Sequence, residues 1–176
     1  MAGKPRGNET VGDAVRSLVV LLGLVAVIAI AFTVMRPDER LPDPVDYDGV
    51  LELVRDDYPY HVLAPASVPD GWRATSVDHS DDATGHRWRL GFLTADEDFV
   101  GLEQADGEIE SYLADKLADF DADGTGTVDG QQWERRLETD DRNPDRALVH
   151  VADGVVTIVR GTGSYAELEE FASWLE

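Results

Sequence analysis

The chain has 176 residues, 36 acidic against 15 basic side chains for a net charge of −21, and no cysteine. A surface this acidic lacks the basic footprint that nucleic acid requires, and it reads first as a solvated, solubilising one. Without cysteine there is no disulfide, thiolate nucleophile, zinc–thiolate site or lipid-modified cysteine.

Residues 1–16 are rich in glycine and charge, with no apolar period, and are expected to form a disordered leader. They hold Lys4, Arg6 and Arg16 against Glu9 and Asp13, so the rest of the chain carries −22. Residues 17–35, SLVVLLGLVAVIAIAFTVM, then run without a charge. As a helix rising about 1.5 Å per residue this run spans roughly 28 Å, close to the hydrocarbon thickness of a bilayer. A transmembrane helix is the expectation. Ala29 and Ala31 form an A-x-A pair that a cleaved signal peptide would use, but Phe32, Thr33, Val34 and Met35 continue the apolar run where a cleavage region turns polar. The favoured reading is an uncleaved, single-pass signal anchor. Three basic side chains precede the run and Arg36 and Arg40 follow it. The positive-inside rule then puts the N-terminus in the cytoplasm and the domain outside it, at the cell membrane.

Residues 36–45 contain Pro37, Pro42 and Pro44 and read as a stiff spacer before a domain over 46–176. Asp46 is the expected N-cap of a short helix whose apolar face is Tyr47, Val50, Leu51, Val54 and Tyr58. Pro59, Pro65, Pro69 and Gly71 punctuate an ordered loop. Strands are expected at Trp72–Val77, at His86–Phe92 behind the turn DDATG, and at Phe99–Glu103. From Glu108 to Phe120 the apolar period lengthens to a second helix, with Ile109, Tyr112, Leu113, Leu117 and Phe120 on one side. Further strands are expected at Gln131–Glu138, Ala147–Val151 and Val155–Arg160, the last two joined by the tight turn Asp153–Gly154. Ser164 and Glu167 form a capping box before a third helix carrying Leu168, Ala172 and Leu175. The class is α+β: an antiparallel sheet of about six strands with the helices packed on one face. Strands followed by a helix occur twice, without residue-level similarity between the halves.

Asp121–Gln132, DADGTGTVDGQQ, approximates a calcium loop, but Thr125 and Gln132 stand where a third ligand and the bidentate Glu are needed. A polar helix-to-strand turn is the favoured reading. His61, His79, His86 and His150 are scattered without helical ligand spacing, and Gly161, Gly163 and Ser164 lack the remainder of a phosphate-binding fingerprint. No serine sits in an esterase elbow. Trp72, Trp88, Trp133 and Trp174 fall on the apolar faces and are expected in the core. No catalytic, cofactor-binding or metal-ligating residue is assigned, and no cofactor is expected.

VRSLVVLL at Val15–Leu22, VLAPASVPDGWR at Val62–Arg73, WRLGF at Trp88–Phe92, FVGLEQ at Phe99–Gln104, Trp133 and the ending RGTGSYAELEE together resemble an actinobacterial domain-of-unknown-function family, the one numbered 4245. That resemblance implies a short protein with one N-terminal membrane segment and no known catalytic residue. The functional expectation is a membrane-anchored extracytoplasmic module that binds an unidentified protein or cell-envelope component. The alternatives are an extracytoplasmic enzyme and, less favoured, a weak calcium-responsive module.

Overall fold

Trp88, Leu90 and Phe92 alternate with Arg87, Arg89 and Gly91. In the computed structural model, which describes residues 44–139 and 142–176, this alternation splits the two sets between opposite faces of one sheet. The sheet has seven strands, all paired antiparallel: β1 Arg73–Asp82, β2 Gly85–Leu93, β3 Phe99–Ala105, β4 Phe120–Val128, β5 Gln131–Glu138, β6 Arg146–Ala152 and β7 Val155–Gly161. Their order across the sheet is β1-β2-β3-β7-β6-β5-β4. Two meanders, β1–β3 and β4–β7, thus meet at the β3/β7 pair. Three helices complete the described residues: α1 Asp48–Asp57, α2 Ile109–Lys116 and α3 Tyr165–Ser173. The described residues form one compact unit, and Val45, at the end of the expected spacer, donates its N–H to the Ala74 carbonyl of β1.

The seventh strand corrects the expected count. β4 occupies the acidic stretch read from sequence as a turn, and it lacks apolar alternation because it is an edge strand with one neighbour and mostly solvated side chains. The edge is blunted by the Asp121 and Asp123 carboxylates and by a bulge between Ala122 and Thr125, both of which discourage pairing with another chain. Asp129 and Gly130 both have positive φ and join β4 to β5 in a two-residue hairpin, as Asp153 and Gly154 join β6 to β7. The second helix accordingly stops at Lys116, and Phe120 opens the strand. β1 is longer than expected and runs into the acidic residues up to Asp82. Asp46 is not the N-cap of α1. Tyr47 holds that position without a side-chain cap, while Asp46 Oδ1 accepts from the Asp48 N–H in a local turn.

The helices cover both faces of the sheet, not one. Tyr47, Leu51 and Val54 from the α1 region and Leu168, Phe171 and Ala172 of α3 pack with Trp88, Leu90, Phe92, Leu102, Leu148 and Val159 on the first face. On the second face, Ile109, Tyr112 and Leu113 of α2 pack with Ala105, Ala147, Val149, Val156 and Ile158. Because α2 and α3 follow their meanders onto opposite faces, the twofold recurrence of strands and helix is not a structural duplication. Among the tryptophans, Trp88 and Trp133 are buried as expected, whereas Trp72 and Trp174 pack at the rim of the first core.

The long loop before β1 is held by specific polar contacts. Buried Gln104 accepts from the Leu63 N–H at 2.7 Å and donates to the His61 carbonyl, and Trp88 Nε1 donates to the Leu63 carbonyl at 2.9 Å. Arg55 of α1 donates to the carbonyls of Val62 and Glu176, tying helix, loop and C-terminal segment together.

The capping box of α3 is formed as the sequence indicates: Ser164 Oγ accepts from the Glu167 N–H, and Glu167 accepts from the Ser164 N–H at 2.7 Å. Those bonds to Ser164 hold the Glu167 carboxyl below its usual range, with the backbone bond the larger cause. A depressed carboxyl stabilises the fold at pH above its unfolded value, and that contribution disappears as pH falls through the folded value. Ser164→Ala is expected to cost about 1 kcal/mol at neutral pH. The stability difference between wild type and Glu167→Gln should vanish in acid, which denaturant melts across a pH series will measure.

Among the described residues no helix is long and apolar enough to cross a membrane. The Ser17–Met35 run, the leader and residues 36–43 of the spacer lie outside the described residues.

Candidate functional site

The second face of the sheet is covered by α2 over part of its area, and the uncovered part over β1–β2–β3–β7 forms a trough. Register builds it. Asp78, Arg89 and Glu103 stand side by side on β1, β2 and β3, and the next row consists of Ser76, Gly91, Gly101 and Arg160. Two glycines in register remove the side chains from the middle of that row, as strand glycines often do where another group must come close.

Phe99 fills the gap. Its ring lies 3.2 Å from where a Cβ on either Gly91 or Gly101 would sit, and the same point on Gly101 is 3.8 Å from Arg160 Cγ. Ring and arginine stem therefore flank one glycine, and the hollow between them has a volume of about 290 Å³.

 Arg89 is shared with a second hollow of about 250 Å³ beneath α2, where Arg87 and Lys116 reach toward Tyr112.

Most charges in the trough are already engaged. Arg89 donates to Asp78, and that bond raises the Arg89 pKa above its ordinary value against the opposing effect of burial. Tyr112 OH donates to Glu103 Oε2 at 2.8 Å; burial, then the Glu103 charge, pushes the phenol up, so it stays protonated. The Arg87 guanidinium and the Lys116 ammonium stand 5.6 and 5.7 Å from the centre of the Tyr112 ring, within cation–π range. Arg160 is half-buried, and its side chain makes no hydrogen bond or ion pair with a described residue. Such a set can hold an anion and a flat ligand face. It places no base beside a nucleophile.

The residues singled out from sequence do not gather here. Asp121 lies across from Leu137, Asp123 accepts from Tyr165 OH at 2.8 Å, and Asp129 is in the hairpin turn, so an extended strand stands where a calcium loop would have to wrap around its ion. Among the described residues no group of three or more His, Asp or Glu side chains is placed to hold a metal ion. Calorimetry on the full chain is expected to show no calcium binding tighter than about millimolar. Micromolar affinity that disappears in Asp121→Ala would be the opposite result.

His61 and His79 are exposed, and His150 stacks on Trp133 with centroids 5.1 Å apart. His86 has Nδ1 2.9 Å from Asp106 Oδ2 and Nε2 3.6 Å from Asp81 Oδ1. Among the described residues no side-chain hydroxyl is hydrogen-bonded to Nε2, so no nucleophile is paired with this ring. Gly161 ends β7 against the Phe99 carbonyl, where an added Cβ would collide, and Gly163 accepts from Arg146 and precedes the α3 cap. These glycines serve close packing.

The sequence model of a family described as "Protein of unknown function (DUF4245)" matches residues 6–175. The chain belongs to this family. No curated protein and no solved structure matches it. DUF4245 membership brings no assigned residue, so the trough rests on its geometry. The VGLEQ segment that carried the resemblance lies in β3, where Gly101 floors the trough, Glu103 accepts from Tyr112 and Gln104 clamps the loop. Phe99, Arg160, Arg89 and Tyr112 were not candidates from sequence. The available signal was a glycine inside each of two adjacent strands, Gly91 and Gly101.

Proposed function

We propose that this DUF4245 protein is a single-pass, membrane-anchored binding module with a cytoplasmic N-terminus and an extracytoplasmic domain. The apolar run Ser17–Met35 and its flanking charges support the anchor and its orientation. The proposed organisation is a leader over 1–16, the transmembrane segment over 17–35, a spacer over 36–45 and the domain beyond. The observation that carries the binding role is the trough itself: open, shallow, and lined by charges that neutralise one another beside a single unpaired arginine. Its partner is a protein or a cell-envelope component.

Protease shaving of intact cells, followed by N-terminal sequencing of the membrane fraction, tests the topology. The domain should be cleaved from outside while the leader stays protected. A mature protein beginning at Phe32, or a domain shielded until lysis, would reject it. A photo-crosslinker at Ser76, on the trough, should give an adduct in intact cells that one at Glu170, on α3 over the other face, does not. Equal labelling from both positions, or turnover of a small substrate by the purified chain, would overturn the binding role.

A further inference from the structure

The trough over β2, β3 and β7 combines three recognition elements that nothing in the family description assigns. The first is a flat aromatic ring. Phe99 rests on two buried glycines, so its underside is packed and its other side lines the hollow. The second is a cation without a partner. Arg160 flanks the same glycine as the Phe99 ring, so a group held over the ring lies within reach of the guanidinium. The third is a polar rim of Ser76, Asp78 and Glu103, whose oxygens can accept hydrogen bonds from hydroxyls.

An aromatic face takes the C–H face of a sugar ring, carboxylates and a serine hydroxyl take its hydroxyls, and a planar guanidinium takes a carboxylate through two parallel hydrogen bonds. The volume, about 290 Å³, lies at the lower end of small-molecule sites, which begin near roughly 300 Å³. We infer that the trough binds a sugar bearing a carboxylate, with its ring on Phe99 and its carboxylate on Arg160. This rests on the reading of the domain as a binding module and names the ligand class of that site. Positive charge is scarce in this chain, and the trough sets a half-buried arginine with an unpaired side chain beside an aromatic ring, so an anionic sugar meets both a counter-charge and a stacking face there.

The test uses the full chain in nanodiscs with glucuronate as the probe, followed by calorimetry and by saturation-transfer NMR on the sugar. Glucuronate should bind saturably, with glucose and acetate each at least tenfold weaker, because each lacks one of the two recognition elements. Arg160→Gln should lose at least tenfold in affinity and Phe99→Leu a similar amount, while Arg142→Gln, at an exposed position outside the trough, should bind as wild type. Far-UV circular dichroism and melting temperature establish that each variant is folded. If Phe99→Leu fails to fold, the Arg160→Gln result and the glucose and acetate comparisons decide.

Absence of saturable glucuronate binding overturns the inference, as does full affinity in folded Arg160→Gln. Acetate binding as tightly as glucuronate would show a bare anion site and also overturn it. A crosslinked partner at Ser76 together with no glucuronate binding would sink only the sugar assignment. Loss of the Ser76 adduct would sink the binding module itself.

Discussion

Trp88→Ala is expected to lower the stability of the folded domain by about 3–5 kcal/mol, the usual cost of truncating a core aromatic. Trp88 is fully buried at 0 % exposure on the first face of the sheet. Its indole also donates to the Leu63 carbonyl, so truncation leaves a cavity and an unpaired acceptor in the loop between α1 and β1. One residue along the strand, Arg89 faces the other way and pairs with Asp78 at partly exposed positions. Arg89→Ala should therefore cost no more than about 1 kcal/mol. Chemical denaturation of the full chain, followed by near-UV circular dichroism, measures both. Equal effects at the two positions would mean that the faces of β2 are exchanged.

Phe171→Ala carries the second large effect, again about 3–5 kcal/mol. The Phe171 ring is stacked on Trp72 at 5.9 Å and 4°, tilted against Phe92 at 5.4 Å, and edge-on to Trp174 at 6.0 Å. It thereby joins α3, the sheet and the segment before β1. Removing it should loosen the C-terminal segment, which reaches the loop through the bridge between Pro65 and Leu175. Tryptophan emission should shift to the red in the folded variant as Trp72 and Trp174 become wetter. A stability loss below about 1 kcal/mol, with unchanged emission, would show that α3 docks through Leu168 and Ala172 without the ring.

These two residues also differ in how readable they were. Trp88 sits in a strand whose apolar and polar residues alternate, so its inward face follows from the period of two alone. Phe171 belongs to a helix whose apolar face was read as Leu168, Ala172 and Leu175. Its place at the centre of an aromatic cluster depends on Trp72 and Phe92, which only the folded chain brings beside it. The hairpin at Asp129–Gly130 shows a different kind of miss. Its Asp-Gly pair is the same turn chemistry as Asp153–Gly154, but the surrounding aspartates imitate a cation loop or a polar turn and hide β4. Edge strands are weakly written in sequence because only one flank is paired and few side chains need an apolar cover.

By itself the sequence determined what depends on neighbouring residues: the period of β2, the Ser164–Glu167 cap, the turn between β6 and β7, the α+β class and the membership of DUF4245 that its motifs resemble. The tertiary structure decided what depends on the path of the chain. A short helix with one apolar stripe can cover either face of a sheet equally well, and the crossing from β3 to the far edge at β4 is what sends α2 to the face opposite α1 and α3. The same crossing leaves part of that face open and returns β7 to pair with β3, and only through that pairing do Phe99 and Arg160 come to flank Gly101.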